Sequence, residues 1–303
     1  KEQIKLFFDK NFSNKIINVP HHLSHALSTL YFLDKNSKSL IFSFDGSGDF
    51  STVEIYSLGK EIKLIEKINY PNSLGIFYQA FTQFLGFKNY GDEYKVMGLS
   101  SYGNPIFESE LSEVLYNTNF GYKLNLDYFI HHNQSIIKND EKSQIIYKDL
   151  YSKKLAQLLG PERLGTEKIN QRHMDLAKSV QSVYEKTLFN LLNDLYEKYK
   201  IKNLTLSGGC AMNSVANGKI LKNTKFEKIY ISPNPGDAGG SIGSALLFLN
   251  KNKIKINKNI NYAYLGKNYK NDEIENIIYD KKLEDNFFVK KFSEIELLDI
   301  TAQ

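Results

Sequence analysis

The chain has 303 residues, 42% hydrophobic and 24% charged, with 39 Lys and Arg against 34 Asp and Glu for a formal net charge of +5. That composition suits a globular protein of one large or two smaller domains, and no apolar run is long enough to span a bilayer. The basic residues are spread along the chain and read as solvated surface, so nucleic acid is not an expected partner.

The expected elements follow in chain order. Residues 1–10 read as an amphipathic helix without the apolar core of a signal peptide. Residues 16–19 read as a short strand leading into a histidine-bearing helix that runs to about residue 33. The runs 39–44, 52–57 and 64–70 are rich in β-forming residues. Short glycine-bearing connections join them, Asp45-Gly46-Ser47-Gly48-Asp49 and Gly59-Lys60, which predicts an antiparallel meander. Residues 75–85 read as a helix with Phe77, Phe81 and Phe84 on one core-facing stripe. A polar, glycine-punctuated loop is expected over 86–103. From 104 to about 166 the pattern is irregular and Tyr-rich, which reads as an insertion with His131 and His132 on its surface.

A long helix is predicted over 167–199. It is followed by a strand at 203–206, a helix from about 211, a strand at 228–231 and a helix at 239–250. A Lys- and Asn-rich linker covers 251–261, and 262–303 looks like the opening of another domain. A meander followed by alternating helices and parallel strands argues for an α/β layered fold, in the pattern of one ribonuclease-H-like unit preceded by the tail of another. No initiator Met is present and 293–303 stops in a helical pattern without a breaker, so the expectation is an internal piece of a longer protein. The single cysteine, Cys210, excludes an internal disulfide and fits a cytoplasmic location.

Five motifs carry chemistry. In Pro20-His21-His22-Leu23-Ser24-His25 the outer histidines are four apart, so a helix projects His21 and His25 from one face toward a shared ion. Two ligands do not make a site, and a histidine-rich helix entrance is the plainer reading. Gly46, Ser47 and Gly48 either form a hairpin turn or let backbone amides approach an anion. In Ser207-Gly208-Gly209-Cys210-Ala211-Met212-Asn213 a strand meets a helix start through a glycine pair. Such a junction offers free amides to a phosphate or nucleoside, with Asn213 as a hydrogen-bonding side chain. Asp237, in Pro235-Gly236-Asp237-Ala238-Gly239-Gly240, is either a helix N-cap or a carboxylate ligand. Glu93 and Lys95, in Gly91-Asp92-Glu93-Tyr94-Lys95-Val96-Met97-Gly98-Leu99, sit on a loop that either faces substrate or is merely solvated.

Taken together and in their order along the chain, these motifs resemble the carbamoyltransferases of the NodU and TobZ type over residues 16–250. The resemblance implies an actin-like ATPase fold, related to the tRNA threonylcarbamoyl transferases, with two ribonuclease-H-like halves and a following YrdC-like domain. It implies that residues 1–37 are the tail of the first half, 38–250 the second half, and 262–303 the truncated start of the YrdC-like domain. His21, His25 and Asp237 would match the metal ligands, for Fe(2+) or another divalent transition metal. Gly46, Ser47 and Gly48 would match a phosphate loop, and Gly208, Gly209 and Asn213 a nucleoside junction.

By the same resemblance the reaction is O-carbamoylation. Carbamoyl phosphate and ATP, with Mg(2+), give a carbamoyl-adenylate whose carbamoyl group passes to a hydroxyl of a sugar, glycan or natural product. Glu93 and Lys95 would contact the intermediate or acceptor, and Cys210 reads as a packing residue rather than a nucleophile. A piece lacking the family's first strands and last domain is expected to hold the metal without running the full reaction. The alternatives are a tRNA threonylcarbamoyl transferase-like enzyme, an actin-like kinase and a non-enzymatic remnant of the fold.

Overall fold

Residues 39–44 alternate as a strand buried on both faces must, with Leu40, Phe42 and Phe44 on one side and Ser39, Ile41 and Ser43 on the other. Around this strand the computed structural model builds its sheet; it describes residues 16–30, 38–59, 61–135, 137–139, 145–254 and 266–302. In chain order, α1 (His21–Leu30) precedes β1 (Ser39–Gly48), β2 (Ser51–Leu58) and β3 (Ile62–Asn69). Then come α2 (Leu74–Phe84), α3 (Glu93–Leu99) and α4 (Glu108–Val114). Two small antiparallel ladders, β4 (Leu115–Asn117) with β5 (Tyr122–Leu124) and β6 (Ile137–Asn139) with β7 (Ile145–Tyr147), lead to α5 (Lys153–Leu159) and the long α6 (Gln171–Tyr199). The remainder alternates β8 (Asn203–Ser207), the short α7 (Ser214–Asn217) and α8 (Ile220–Asn223), β9 (Lys228–Ile231) and α9 (Asp237–Lys251).

The main sheet has the order β3-β2-β1-β8-β9. β1, β2 and β3 pair antiparallel as the expected meander, whereas β1, β8 and β9 run parallel. Leu40, Phe42, Phe44, Leu204 and Leu206 face a large core built with α2 and α6, including Phe77, Phe81, Phe84 and Tyr184. On the opposite face Ile41 and Tyr56 pack with Ala26 of α1 in a second, smaller cluster. Residues 261–303 form a separate compact unit with α10 (Asn271–Asp280) and α11 (Glu294–Ala302), neither of which buries a residue.

Several expectations need correction. Residues 16–19 are not a strand: both edges of β1 are already taken by β2 and β8, and Ile17 is exposed. The Asp-Gly pair at 45–46 does not turn the chain. β1 runs on to Gly48 through a bulge between Phe44 and Gly48, and the turn falls at Asp49 and Phe50, both with positive φ (49° and 66°). The supposed loop 86–103 contains α3, which buries Val96, and a 3-10 turn over Ser100–Tyr102.

The irregular 104–166 stretch packs into the body of the protein: Leu111, Val114, Tyr122, Leu124, Phe129, Leu150 and Leu155 all belong to the large core. His131 is buried, packed edge-on against Tyr70 and Phe129, and its Nε2 lies 2.9 Å from the Pro71 carbonyl; His132 is exposed. α6 starts at Gln171 rather than 167 because Asn170 caps it: its side chain accepts from the His173 amide at 3.3 Å, and its own amide donates back to His173 Nδ1 at 3.2 Å. The helix expected from 211 breaks at Asn213 into a 3-10 turn, Gly209–Met212, and α7. The expected helix at 1–10 and most of the linker lie outside the described residues.

Candidate metal centre

Three elements converge at the C-terminal end of β1. α1 brings His21 and His25, the bulge of β1 brings Asp45, and the first residue of α9 brings Asp237. One ligand atom from each of the four lies within 4.8 Å of the others. The two imidazole Nε2 atoms are 3.2 Å apart. Asp45 Oδ2 is 3.2 Å from His25 Nε2 and 3.5 Å from His21 Nε2, and Asp237 Oδ1 is 3.3 Å and 3.8 Å from the same atoms.

These spacings suit an ion. A tetrahedron with bonds of about 2.1 Å has edges of about 3.4 Å, close to the five distances that involve a histidine nitrogen. Two imidazoles and two carboxylates are also the donor set of a borderline divalent transition metal rather than of Mg(2+) or Ca(2+). Two facing Nε2 atoms cannot both donate to each other, but both lone pairs can bind one cation. The residues fit the metal that the sequence resemblance implies.

Local structure holds the ligands in place. The Asp49 carboxylate accepts from the His21 amide at 2.7 Å, so the hairpin turn caps α1 at the point where its histidines emerge. His22, turned the other way, is buried and anchored to Ser43 Oγ at 2.9 Å and the Ser51 carbonyl at 3.1 Å. Gly48 leaves room for the ligand beside it: a Cβ there would lie 2.0 Å from the His21 ring. Gly208, at φ +91°, presses its backbone onto Phe44, where a Cβ would sit 2.1 Å from the Phe44 carbonyl oxygen. That close approach lets the Gly209 amide donate to Asp45 Oδ2 at 3.1 Å, while the Gly46 amide donates to Oδ1 at 2.7 Å.

The electrostatics follow from these contacts. Burial by itself would raise the Asp45 pKa, but hydrogen bonds from His21, His25, Gly209 and Gly46 outweigh it and hold the carboxyl far below the usual range. His21 is raised, chiefly by its hydrogen bond to Asp45 and against the effect of burial. Burial raises Glu93, with the Asp92 carboxylate adding to it. Burial, then the charges of Asp45 and Glu93, push the Cys210 thiol up, so it has no thiolate character to offer as a nucleophile.

The other sequence candidates fall into two groups. Gly46, Gly48, Gly208 and Gly209 surround Asp45 at the junction of β1 and β8, and Ser47 is exposed at the same bulge. Asn213 points inward instead: its Oδ1 accepts from the Ala216 amide and from Gln181, and its Nδ2 donates to Gln181 at 3.1 Å. Lys95 is tied to Asp92 at 2.7 Å on α3. Asp237 is not an N-cap; Gly236 holds that position, and the Asp237 side chain is 68% exposed. The sequence reading missed Asp45 as a ligand because the Asp-Gly pair resembled a turn. The available signal was a carboxylate beginning a glycine-rich run at the end of a fully buried strand.

The family model described as Carbamoyltransferase N-terminus matches residues 3–246. An uncharacterized protein of Synechocystis sp., sll1178, is 36% identical over 264 residues, covering 84% of this chain and 41% of that protein. The nodulation protein NolNO of Sinorhizobium fredii is 34% identical over 241 residues, covering 78% of this chain and 32% of its own length. The crystal structure of T. kodakarensis HypF aligns with a TM-score of 0.40 at 17% identity, covering 84% of this chain and 39% of that one. The chain thus spans well under half the length of these curated relatives. The match over most of its residues makes this chain a member of the carbamoyltransferase N-terminus family.

Proposed function

We propose that this chain supplies the metal-holding nucleotide cleft of an O-carbamoyltransferase, which moves a carbamoyl group from a carbamoyl-adenylate, made from carbamoyl phosphate and ATP, to a hydroxyl of a sugar or natural product. The observation that carries this reading is the cluster of His21, His25, Asp45 and Asp237 directly beside two glycine-rich backbone junctions. In the same reading residues 38–250 are one ribonuclease-H-like half of an actin-like ATPase fold, and 262–303 open a YrdC-like domain.

Each group has a task. His21, His25, Asp45 and Asp237 hold the metal, Fe(2+) or a similar ion, which when bound supplies Lewis-acid polarisation of phosphate oxygens. The backbone of the bulge around Ser47 and Gly48 meets the phosphates, and the nucleoside lies against the Gly208–Gly209 junction, whose glycines let it pack on Phe44 and Asp45. Asn213 acts from behind, fixing the junction through Gln181 and α7. In the transfer step the acceptor oxygen bonds to the carbamoyl carbon, and the bond from that carbon to the AMP oxygen breaks. AMP leaves with the electron pair, and the hydroxyl proton passes to the Glu93 carboxylate, whose raised pKa suits a base. No enzyme nucleophile is needed.

Equilibrium binding of AMP to the chain, with Mn(II) or Zn(II) present and then stripped by chelator, tests the reading. AMP binding that depends on the metal and is lost in Gly209→Val supports it. AMP binding that is absent, or indifferent to both changes, contradicts it.

A further inference from the structure

Asp237 differs from the other three metal-facing residues in how it reaches the site. His21, His25 and Asp45 belong to α1 and to the strand it covers, whereas Asp237 arrives on α9. That helix buries only Gly239, Gly240, Gly243 and Leu246. These positions form one face, and Asp237 lies one turn before Gly240 at its N-terminal end.

The α1 side of the seam is equally thin. Ser24 Oγ donates back to the His21 carbonyl and Ser28 Oγ to the His25 carbonyl, each at 2.7 Å, so both hydroxyls fold onto their own helix. Against them lies bare backbone. A Cβ at Gly243 would sit 1.7 Å from the Ser24 carbonyl oxygen and 2.9 Å from the Ser28 amide nitrogen. A Cβ at Gly240 would sit 3.0 Å from Ser24 Oγ, the end of a side chain that can move.

We infer that Gly243, and more weakly Gly240, are positioning residues for the metal centre: their missing side chains let α9 approach α1 closely enough for Asp237 to share an ion with His21 and His25. The inference rests on the metal reading above. A carbon held 1.7 Å from a backbone oxygen must retreat by about 1.6–1.9 Å to reach ordinary contact. A helix carries that displacement along its axis to Asp237, six residues away. Metal–ligand bonds tolerate only about 0.2 Å, so the fourth ligand is lost or its geometry changed. The clash at Gly240 is with a hydroxyl, so removing that hydroxyl relieves it; the clash at Gly243 is with backbone, so nothing on Ser24 relieves it.

The test is Co(II) titration of the 303-residue chain, reading affinity and the visible d–d bands, with melting in EDTA recorded alongside. The variants are Gly243→Ala, Gly240→Ala, Gly240→Ala/Ser24→Ala, and Leu195→Ala as a core control away from the seam. Gly243→Ala is expected to weaken Co(II) binding by about 10-fold or more and to alter the bands. Gly240→Ala is expected to weaken binding less, with Ser24→Ala restoring it. Leu195→Ala lowers the melting temperature but keeps the wild-type affinity and bands. Wild-type affinity and bands in folded Gly243→Ala overturn the inference, as does a loss in Leu195→Ala equal to that at the seam. Should Gly243→Ala not fold, the Gly240 pair decides: no loss, or loss without rescue, overturns it. Failure of the wild-type chain itself to bind Co(II) removes the metal reading instead, and the inference with it.

Discussion

The two faces of the central sheet are made from the same strands yet are built for different ends. On one, Leu40, Phe42, Phe44, Leu204 and Leu206 pack into aromatic and aliphatic neighbours from α2 and α6. On the other, Ser39, Ser43, Thr205 and Ser207 are equally buried, and the hydroxyls of Ser39, Thr205 and Ser207 have no protein partner among the described residues. His25 Nδ1, also buried, has none either. An apolar face stabilises the fold; a polar one costs stability and is kept where chemistry is done. The comparison teaches that the larger apolar core and the candidate metal centre lie on opposite sides of one sheet and should separate experimentally.

The largest effect is expected on the apolar face. Phe42 is fully buried and meets Phe44 edge-on at 4.8 Å. Phe42→Ala should cost about 3–5 kcal/mol in denaturant melts of the metal-free chain. A cost below 1 kcal/mol would show that this face is not the main source of stability. On the polar face Asp45→Asn should behave in the opposite way. It replaces a charged carboxylate by a neutral amide and leaves one oxygen to accept from the two backbone amides that Asp45 serves, so Zn(II) affinity in a competition titration should fall by at least about 100-fold. Denaturant melts should show a smaller loss than for Phe42→Ala. Equal losses in both assays would erase the distinction between the faces.

A third test uses pH on the apolar side. Burial depresses the pKa of His131, with His132 beside it adding repulsion. The unfolded chain therefore takes up this proton near the ordinary value of about 6.5 while the folded chain still resists it. Stability from this group is present above about pH 6.5 and is lost as pH falls from there toward the depressed folded value. His131→Gln, whose amide nitrogen takes the place of Nε2 and keeps a donor toward the Pro71 carbonyl, should show a flatter acid limb in pH-dependent melts. An unchanged limb would mean His131 is not held neutral. The smallest effect is expected for Asp49→Ala, which removes the cap of α1 and should cost about 1 kcal/mol. A cost near zero would show that the hairpin turn does not hold the histidine helix.

Much of this was legible in the sequence, for identifiable reasons. The meander, β8, β9 and the helix at 74–84 follow from local periodicity, which needs no knowledge of the tertiary contacts. The pairing of His21 with His25 was legible because four-residue spacing fixes a helix face. Asp45 and Gly243 were not. Asp45 looked like a turn residue, and only the bulge in β1 and the amide of Gly209 reveal it as a half-buried carboxylate aimed at the histidines. Gly243 has no chemistry of its own, and its meaning depends wholly on how close α1 lies. The burial of His131 was missed because the segment around it lacks periodicity, although its apolar residues fill the main core.

The central claim is that His21, His25, Asp45 and Asp237 hold one divalent transition-metal ion. Its most direct test is elemental analysis of the chain purified without oxygen or chelator, beside His25→Ala and Asp45→Asn. About one iron or zinc per wild-type chain, absent from both folded variants, is the predicted result. A wild-type chain that carries no metal after reloading, or variants that keep the ion, would contradict it.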